Sequence, residues 1–254
     1  MRYIVKEFDK PLLIFSADMN SSNSNLQIEK IYEENDAFFP LNLTVSNGGL
    51  ESWLKHRVIP KNRAYVDALL SKTGLSANRP LGIIAVCKGL SLNDCYWVDS
   101  ADNESSFAKV NLYDNRFSTI LASIAFTGYG SSVRSSLFSS PEFSTNGMLP
   151  KCWRRINGKI YLYKGGTSGF SNTGFEPYSE LYAYQIAKAM EINAIRYTLT
   201  KDLKKSLCSK CELFTSKDYS YMPIGQLVRK GNMEAIREYY QTLGQSFVDA
   251  LDDM

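Results

Sequence analysis

The sequence predicts an α+β protein: a mixed strand and helix subdomain, followed by an antiparallel sheet that carries one helix. Three observations carry this reading. Short apolar runs of strand length recur between residues 1 and 45, at Tyr3 to Val5, Leu12 to Phe15 and Leu26 to Ile31. Asn157-Gly158 separates the runs Met148 to Ile156 and Lys159 to Lys164, and Asn-Gly between two such runs is the strongest short-range signal for a hairpin with a type I′ turn. From Ile160 to Met190 an apolar run ending in Lys164 leads through a loop with Gly165, Gly166, Gly169 and Gly174 into a segment of helical periodicity.

The apolar runs of residues 1–45 read as two or three strands, with Asn20-Ser-Ser-Asn-Ser-Asn25 as a polar connector. Asn47-Gly-Gly49 breaks that pattern. Leu50 to Arg57 and Arg63 to Thr73 then read as two helices separated by Pro60, the second with Tyr65, Val66, Leu69 and Leu70 on one face and Gly74 as its C-cap. Residues 81–87 (Leu-Gly-Ile-Ile-Ala-Val-Cys) are a buried run, helix or strand by periodicity alone, which Lys88-Gly89 ends. Cys95 to Val98 has strand composition, and Asp99 to Glu104 is a polar turn. Leu112 to Phe117 leads into a helix from Thr119 to Phe126.

Thr127 to Gly147 is a long segment rich in serine and glycine. Loops of this length with little structure of their own tend to be functional or mobile. Beyond the hairpin, Leu181, Tyr184, Ile186, Ala187 and Met190 share a broad helical face, with Ser179 as the N-cap or Pro177 marking an earlier start. Ile195 to Leu199 and Cys211 to Thr215 read as strands, with an exposed charged stretch at Lys201 to Lys205. Pro223 to Val228 opens a new unit, and Met233, Ile236, Tyr240, Leu243, Phe247 and Leu251 recur at spacings of three or four, as in an amphipathic helix. The divisions are therefore 1–110, 111–222 and 223–254.

Composition bounds the function. The 254 residues suffice for one large domain or two modest ones. Lys and Arg number 29 against 26 Asp and Glu, a net charge of +3 without a clustered basic run, so no nucleic-acid-binding face is expected. No apolar run approaches the ~18 residues of a membrane helix, and Met1 to Glu7 becomes charged too soon for a signal peptide. Five cysteines without a secretion signal point to reduced thiols in a cytoplasm. Cys208-Ser-Lys-Cys211 is a lone CxxC and His56 the single histidine, short of the four ligands of a structural zinc site. His56, between Lys55 and Arg57, reads as a surface residue.

Chemistry converges on Lys164 and Glu180. A lysine at a strand end followed by a helix carrying a glutamate near its start is the arrangement a protein kinase uses, where the lysine holds nucleotide phosphates and the glutamate pairs with it. Taken singly, Lys164 reads first as a solvated strand-end lysine, and Glu180 as a first-turn carboxylate favoured by the helix dipole by roughly 0.3–1 kcal/mol; it is their context that points to a pair.

Tyr161 to Lys164, the Gly/Ser/Thr-rich connection, the helix start Tyr178-Ser-Glu-Leu-Tyr-Ala and the segment Lys88-Gly-Leu-Ser-Leu-Asn-Asp-Cys-Tyr-Trp97 together resemble the HipA-like kinases, bacterial toxin-type serine/threonine kinases with an atypical kinase fold. The resemblance covers the chain from about Leu50 onward. It implies a kinase-like N-lobe over 111–222 and the start of a helical C-lobe over 223–254. It also implies an ATP site in which Ser144, Thr145, Asn146 and Gly147 form the loop tip nearest the phosphates, Lys164 and Glu180 form the pair, and the adenine lies against Leu213 or Phe214. The seven serines from Ser131 to Ser144 are then a candidate autophosphorylation segment.

The family's catalytic segment, with an Asp-Arg-His and a following Asn, has no counterpart here, nor is there an Asp-Phe-Gly, and the sequence ends at Asp252-Asp-Met254. The expectation is a catalytic lobe largely missing, no catalytic residue and no metal ligand in the chain, magnesium bound only with that missing lobe, and no phosphoryl transfer by the chain alone. The apolar face of 232–254 would seek a protein partner or a second copy, since each large apolar side chain gains ~1.5–3 kcal/mol on burial. Two other readings stand beside this one: a non-catalytic kinase-like module that binds protein, and an unrelated α+β protein in which Lys164 and Glu180 are structural.

Overall fold

Two antiparallel four-stranded sheets organise the chain in a computed structural model that describes residues 1–19, 25–132, 140–167, 173–202 and 206–223. The first sheet contains β1 (Arg2–Glu7), β2 (Lys10–Ser16), β3 (Gln27–Ile31) and β4 (Tyr96–Ser100) in the order β3-β2-β1-β4. Of the two or three N-terminal strands anticipated from the apolar runs, three are present. The strand at Tyr96, distant in sequence, returns to pair with β1, Val5 opposite Val98.

Between β3 and β4 lie α1 (Asn47–His56), α2 (Val66–Lys72) and α3 (Pro80–Cys87). Asn47-Gly-Gly49 starts α1 rather than breaking the pattern before it, because the Ser46 hydroxyl accepts the Gly49 N–H at 3.0 Å and caps the helix. The second helix begins at Val66, later than Arg63, because Tyr65 sits in the left-handed region at φ 61°. The open reading of 81–87 resolves to helix, with Pro80 in its first turn and Lys88 left-handed at its end. His56 is on the surface, its Nδ1 2.7 Å from the Ser52 carbonyl.

Next come α4 (Phe107–Val110) and α5 (Thr119–Thr127), the latter capped by the Ser118 hydroxyl and closed by Gly128. The second sheet holds β5 (Lys151–Ile156), β6 (Lys159–Gly165), β7 (Tyr197–Lys201) and β8 (Leu207–Glu212) in the order β5-β6-β8-β7. The hairpin thus joins a sheet of its own rather than the amino-terminal strands. Asn157 and Gly158 both have positive φ, 50° and 81°, which a type I′ turn requires. The strand expected at Cys211 to Thr215 lies earlier, as β8, and ends at Glu212, so Cys211 to Thr215 is a strand end and the start of a connection.

Three clusters of buried side chains join these parts. One packs the first sheet (Val5, Leu13, Phe15, Val98) against α1, α2, α3 and α5. A second takes the opposite face of β4, with Trp97, and meets Trp153 and Ile160 of the second sheet. Adjacent residues of β4 therefore serve different cores, as strand alternation dictates. The third sets Ala122 and Phe126 of α5 against Cys152, Tyr163 and Cys208.

The helix α6 (Glu176–Ala189) lies against β7 and β8. It starts earlier than Ser179, with Phe175 as its N-cap and Pro177 in the first turn, because the proline's fixed φ suits that position. Glu176 is thereby the first-turn carboxylate, and Glu180 lies one turn further in. The expected apolar face is only half right. Leu181, Tyr184 and Ala187 are half-buried, whereas Ile186 and Met190 join Phe175 and Tyr182 on the exposed side. The polar connector at 20–24, the serine-rich stretch at 133–139, Gly169, Lys204 and Lys205, and the helix of 232–254 lie outside the described residues.

Candidate functional site

A cleft of ≈ 490 Å³ opens along one face of the second sheet, lined by residues 144–147, Lys151, Lys164, Tyr197 and the segment from Cys211 to Thr215. Its size falls in the ~300–1,000 Å³ range of small-molecule sites. Lys164, near the end of β6, reaches Glu180 of α6 at 2.7 Å and donates a second hydrogen bond to the Tyr197 hydroxyl of β7 at 2.6 Å. The expected pair is formed, and its geometry needs the helix to cross β7 and β8. Glu180 is free to make it because Glu176 serves the helix start instead: its carboxylate accepts the N–H groups of Thr167 and Gly174 at 3.1 and 3.0 Å and the Thr167 hydroxyl, clasping the two ends of the loop. Burial foremost, with Cys211 and Glu180 adding to it, pushes the Tyr197 phenol far up, so it stays protonated.

The expected loop tip lies on the same cleft as Lys164. Residues Ser144 to Gly147 follow a 3₁₀ turn at Pro141–Phe143, and this part of the serine-rich segment is anchored rather than free. Phe143 and Glu142 are fully buried. The Thr145 hydroxyl accepts Trp153 Nε1 at 2.9 Å and donates to the Pro141 carbonyl at 2.5 Å, while the Ser144 hydroxyl donates to that same carbonyl at 3.4 Å. These two side chains are spent on the loop's own shape, which leaves backbone rather than hydroxyls as what the tip offers a ligand. Ser140 and Ser144 are buried, so neither is an accessible phosphate acceptor with the segment in this conformation.

Three charged residues at the site were not found from the sequence. Arg63, completely buried, donates to the carbonyl oxygens of Glu142, Thr145 and Lys151 and faces the Glu142 carboxylate at 3.6 Å. Glu142 accepts the Trp153 N–H at 2.9 Å through one oxygen, and burial outweighs Arg63 to push its carboxyl up to about 7. Lys151, the first residue of β5, donates to the Asn146 carbonyl at 2.7 Å. Gly147 has φ +91°, a conformation that favours glycine, and a Cβ there would fall 2.4 Å from Lys151 Nζ, so a side chain would displace the ammonium. The signal available was the cross-strand position: Lys151 is the Cα partner of Lys164 in the β5–β6 register, which the Asn157-Gly158 turn fixes by counting outward.

The far end of the cleft is apolar. Leu213 packs at the edge of the second core and Phe214 makes an edge contact with Tyr221 at 5.3 Å. Thr215 donates to the Leu92 carbonyl and Tyr221 N–H to that of Asn93 at 2.7 Å, so the segment around Lys88 to Trp97 supports this end. Cys208 and Cys211, three apart on β8, face opposite sides. Cys208 belongs to the core beneath the sheet and Cys211 to the cleft. All five cysteines are free thiols.

Among the described residues there is no group of three or more His, Cys, Asp or Glu side chains arranged to hold a metal ion, and no helix is long and apolar enough to cross a membrane. No family model matches the chain, and no curated protein matches it.

Proposed function

We propose that the chain is a nucleotide-binding, kinase-like N-lobe related to the HipA-like serine/threonine kinases. The observation that carries this is the Lys164–Glu180 contact at 2.7 Å, with Lys164 on a cleft that residues 144–147 and 213–214 also line. In this reading ATP lies with its phosphates toward Lys164 and the loop, where cationic and backbone groups meet negative charge, and with its adenine on Leu213 and Phe214. ATP supplies the phosphoryl group when bound; the chain's own residues bind and orient it. Glu180 and Tyr197 fix the Lys164 ammonium, and Arg63 holds the loop over Lys151. The 254 residues contain neither an Asp-Arg-His nor an Asp-Phe-Gly, so the proposal is binding, with phosphoryl transfer and a bound magnesium needing groups from outside them. A cytoplasmic setting accords with the five free thiols.

A photoreactive 8-azido-ATP tests the orientation. The expected label falls on the peptide spanning 211–221 and is competed by ATP. Label elsewhere, or label that ATP does not displace, contradicts the reading. A second reading, a kinase-like module that binds protein without nucleotide, is favoured by the outward side of α6, where Phe175, Tyr182, Ile186 and Met190 are each at least 60% exposed. Pull-down by a defined partner that survives Lys164→Ala and is lost on Ile186→Asp would support it.

A further inference from the structure

The strand β7 stands at an edge of the second sheet: it pairs with β8 on one side and, among the described residues, with no strand on the other. Native proteins usually blunt such edges with a proline, a bulge or an inward charge. β7 has none of these. It reads Tyr-Thr-Leu-Thr-Lys in unbroken register with β8, and its single charge, Lys201, stands at its end. Beside it runs a groove of ≈ 400 Å³ whose other wall is α6. Of the residues lining this groove only Tyr197 also lines the cleft that holds Lys164.

The groove changes character along its length. Leu181 and Tyr184 of α6 and Leu199 of β7 are half-buried and give it apolar walls. Lys188, in the last turn of α6, and Arg196, the residue before β7, are exposed together at the end where the helix finishes and the strand begins. Neither cation forms an ion pair among the described residues, and no carboxylate lines the groove. From Leu181 to Lys188 is about 10 Å along the helix axis, the rise of roughly three residues of extended chain. An apolar side chain and a carboxylate on the same face of an extended peptide therefore reach both ends.

We propose that this groove docks an extended acidic peptide of a partner protein, which adds to β7 as a further strand of the second sheet. The peptide runs antiparallel to β7. Its carboxylates lie between Lys188 and Arg196, and its alternate side chains lie against Leu181, Tyr184 and Leu199. Main-chain pairing supplies affinity and the side-chain pattern supplies specificity. Because an antiparallel strand finishes beside the start of β7, the apolar residues of the peptide precede the acidic ones. The proposal stands apart from the nucleotide reading.

The test is titration of the fluorescein-labelled octapeptide Ser-Thr-Val-Thr-Val-Thr-Glu-Glu with the full chain, without nucleotide, read by fluorescence anisotropy. Saturable binding is expected, weakened roughly tenfold or more when both glutamates become glutamines or when the sequence is reversed. The double variant Lys188→Glu, Arg196→Glu changes two exposed residues, so it keeps the fold. It should lose the acidic peptide to a similar extent and take instead the peptide ending in two lysines. Peptide N-methylation distinguishes strand addition from a charge contact alone. Only alternate N–H groups of an added strand face β7, so methylating one alternate set abolishes binding and methylating the other is tolerated. No saturable binding, binding indifferent to the charge reversal, or equal effects of the two methylated sets would each overturn the proposal, and none of these results bears on the nucleotide site.

Discussion

Lys164 meets Glu180 at 2.7 Å with both side chains less than a third exposed, a setting in which an ion pair is screened less than on an open surface. The coupling between them, measured by a double-mutant cycle on chemical denaturation with Lys164→Met and Glu180→Gln, should be about 1–2 kcal/mol. A coupling near zero would show that the contact does not hold α6 to the sheet. This pair was legible because a strand end and a helix start each constrain where a side chain goes. Tyr197, the third member, was not, since no spacing along the chain states which strand will lie beside β6. Lys151 and Glu142 were missed for a related reason. Each was read as part of a loop or a hairpin flank, and burial of a charge is set by what packs over it.

At the scale of elements, the stretch 142–151 leading into β5 is held by Arg63, which arrives from the segment before α2. Arg63→Met removes donors from three carbonyl oxygens and leaves Glu142 without its cation, and should destabilise the protein by about 3–5 kcal/mol in urea denaturation. Glu142 gives a pH signature of definite sign. Its carboxyl is raised to about 7 when folded, so the folded state binds a proton more readily than the unfolded one, and stability is lost as pH rises from the ordinary carboxylate range through 7. Glu142→Gln, which mimics the neutral acid, should match the wild type near pH 4.5 and exceed it at pH 8 by on the order of 2–3 kcal/mol. Parallel stability profiles would contradict this assignment. The Ser/Gly-rich composition suggested a loop from Thr127 to Gly147, yet the 3₁₀ turn at Pro141–Phe143 is buried. One arginine eighty residues away outweighs local composition. Helix α6 started early for a local reason, the proline at 177, and that start was one of the two the sequence offered.

Across the whole molecule, three cores link two sheets through α5 and β4, whose opposite faces serve different clusters. The α+β class and the hairpin were readable from period and turn chemistry. The sheet orders were not, because β4 reaches β1 and β8 lies between β6 and β7 through pairings distant in sequence. The cleft exists only once those pairings form, since Lys164, residues 144–147 and the 211–215 segment come from three different parts of the chain. Its function is most directly tested by calorimetric titration of the full chain with Mg-ATP, beside Lys164→Ala. Saturable one-to-one binding, weakened roughly tenfold or more in the variant, is the expected result. No heat of binding at millimolar nucleotide, or equal affinity in wild type and Lys164→Ala, would contradict a kinase-like nucleotide site.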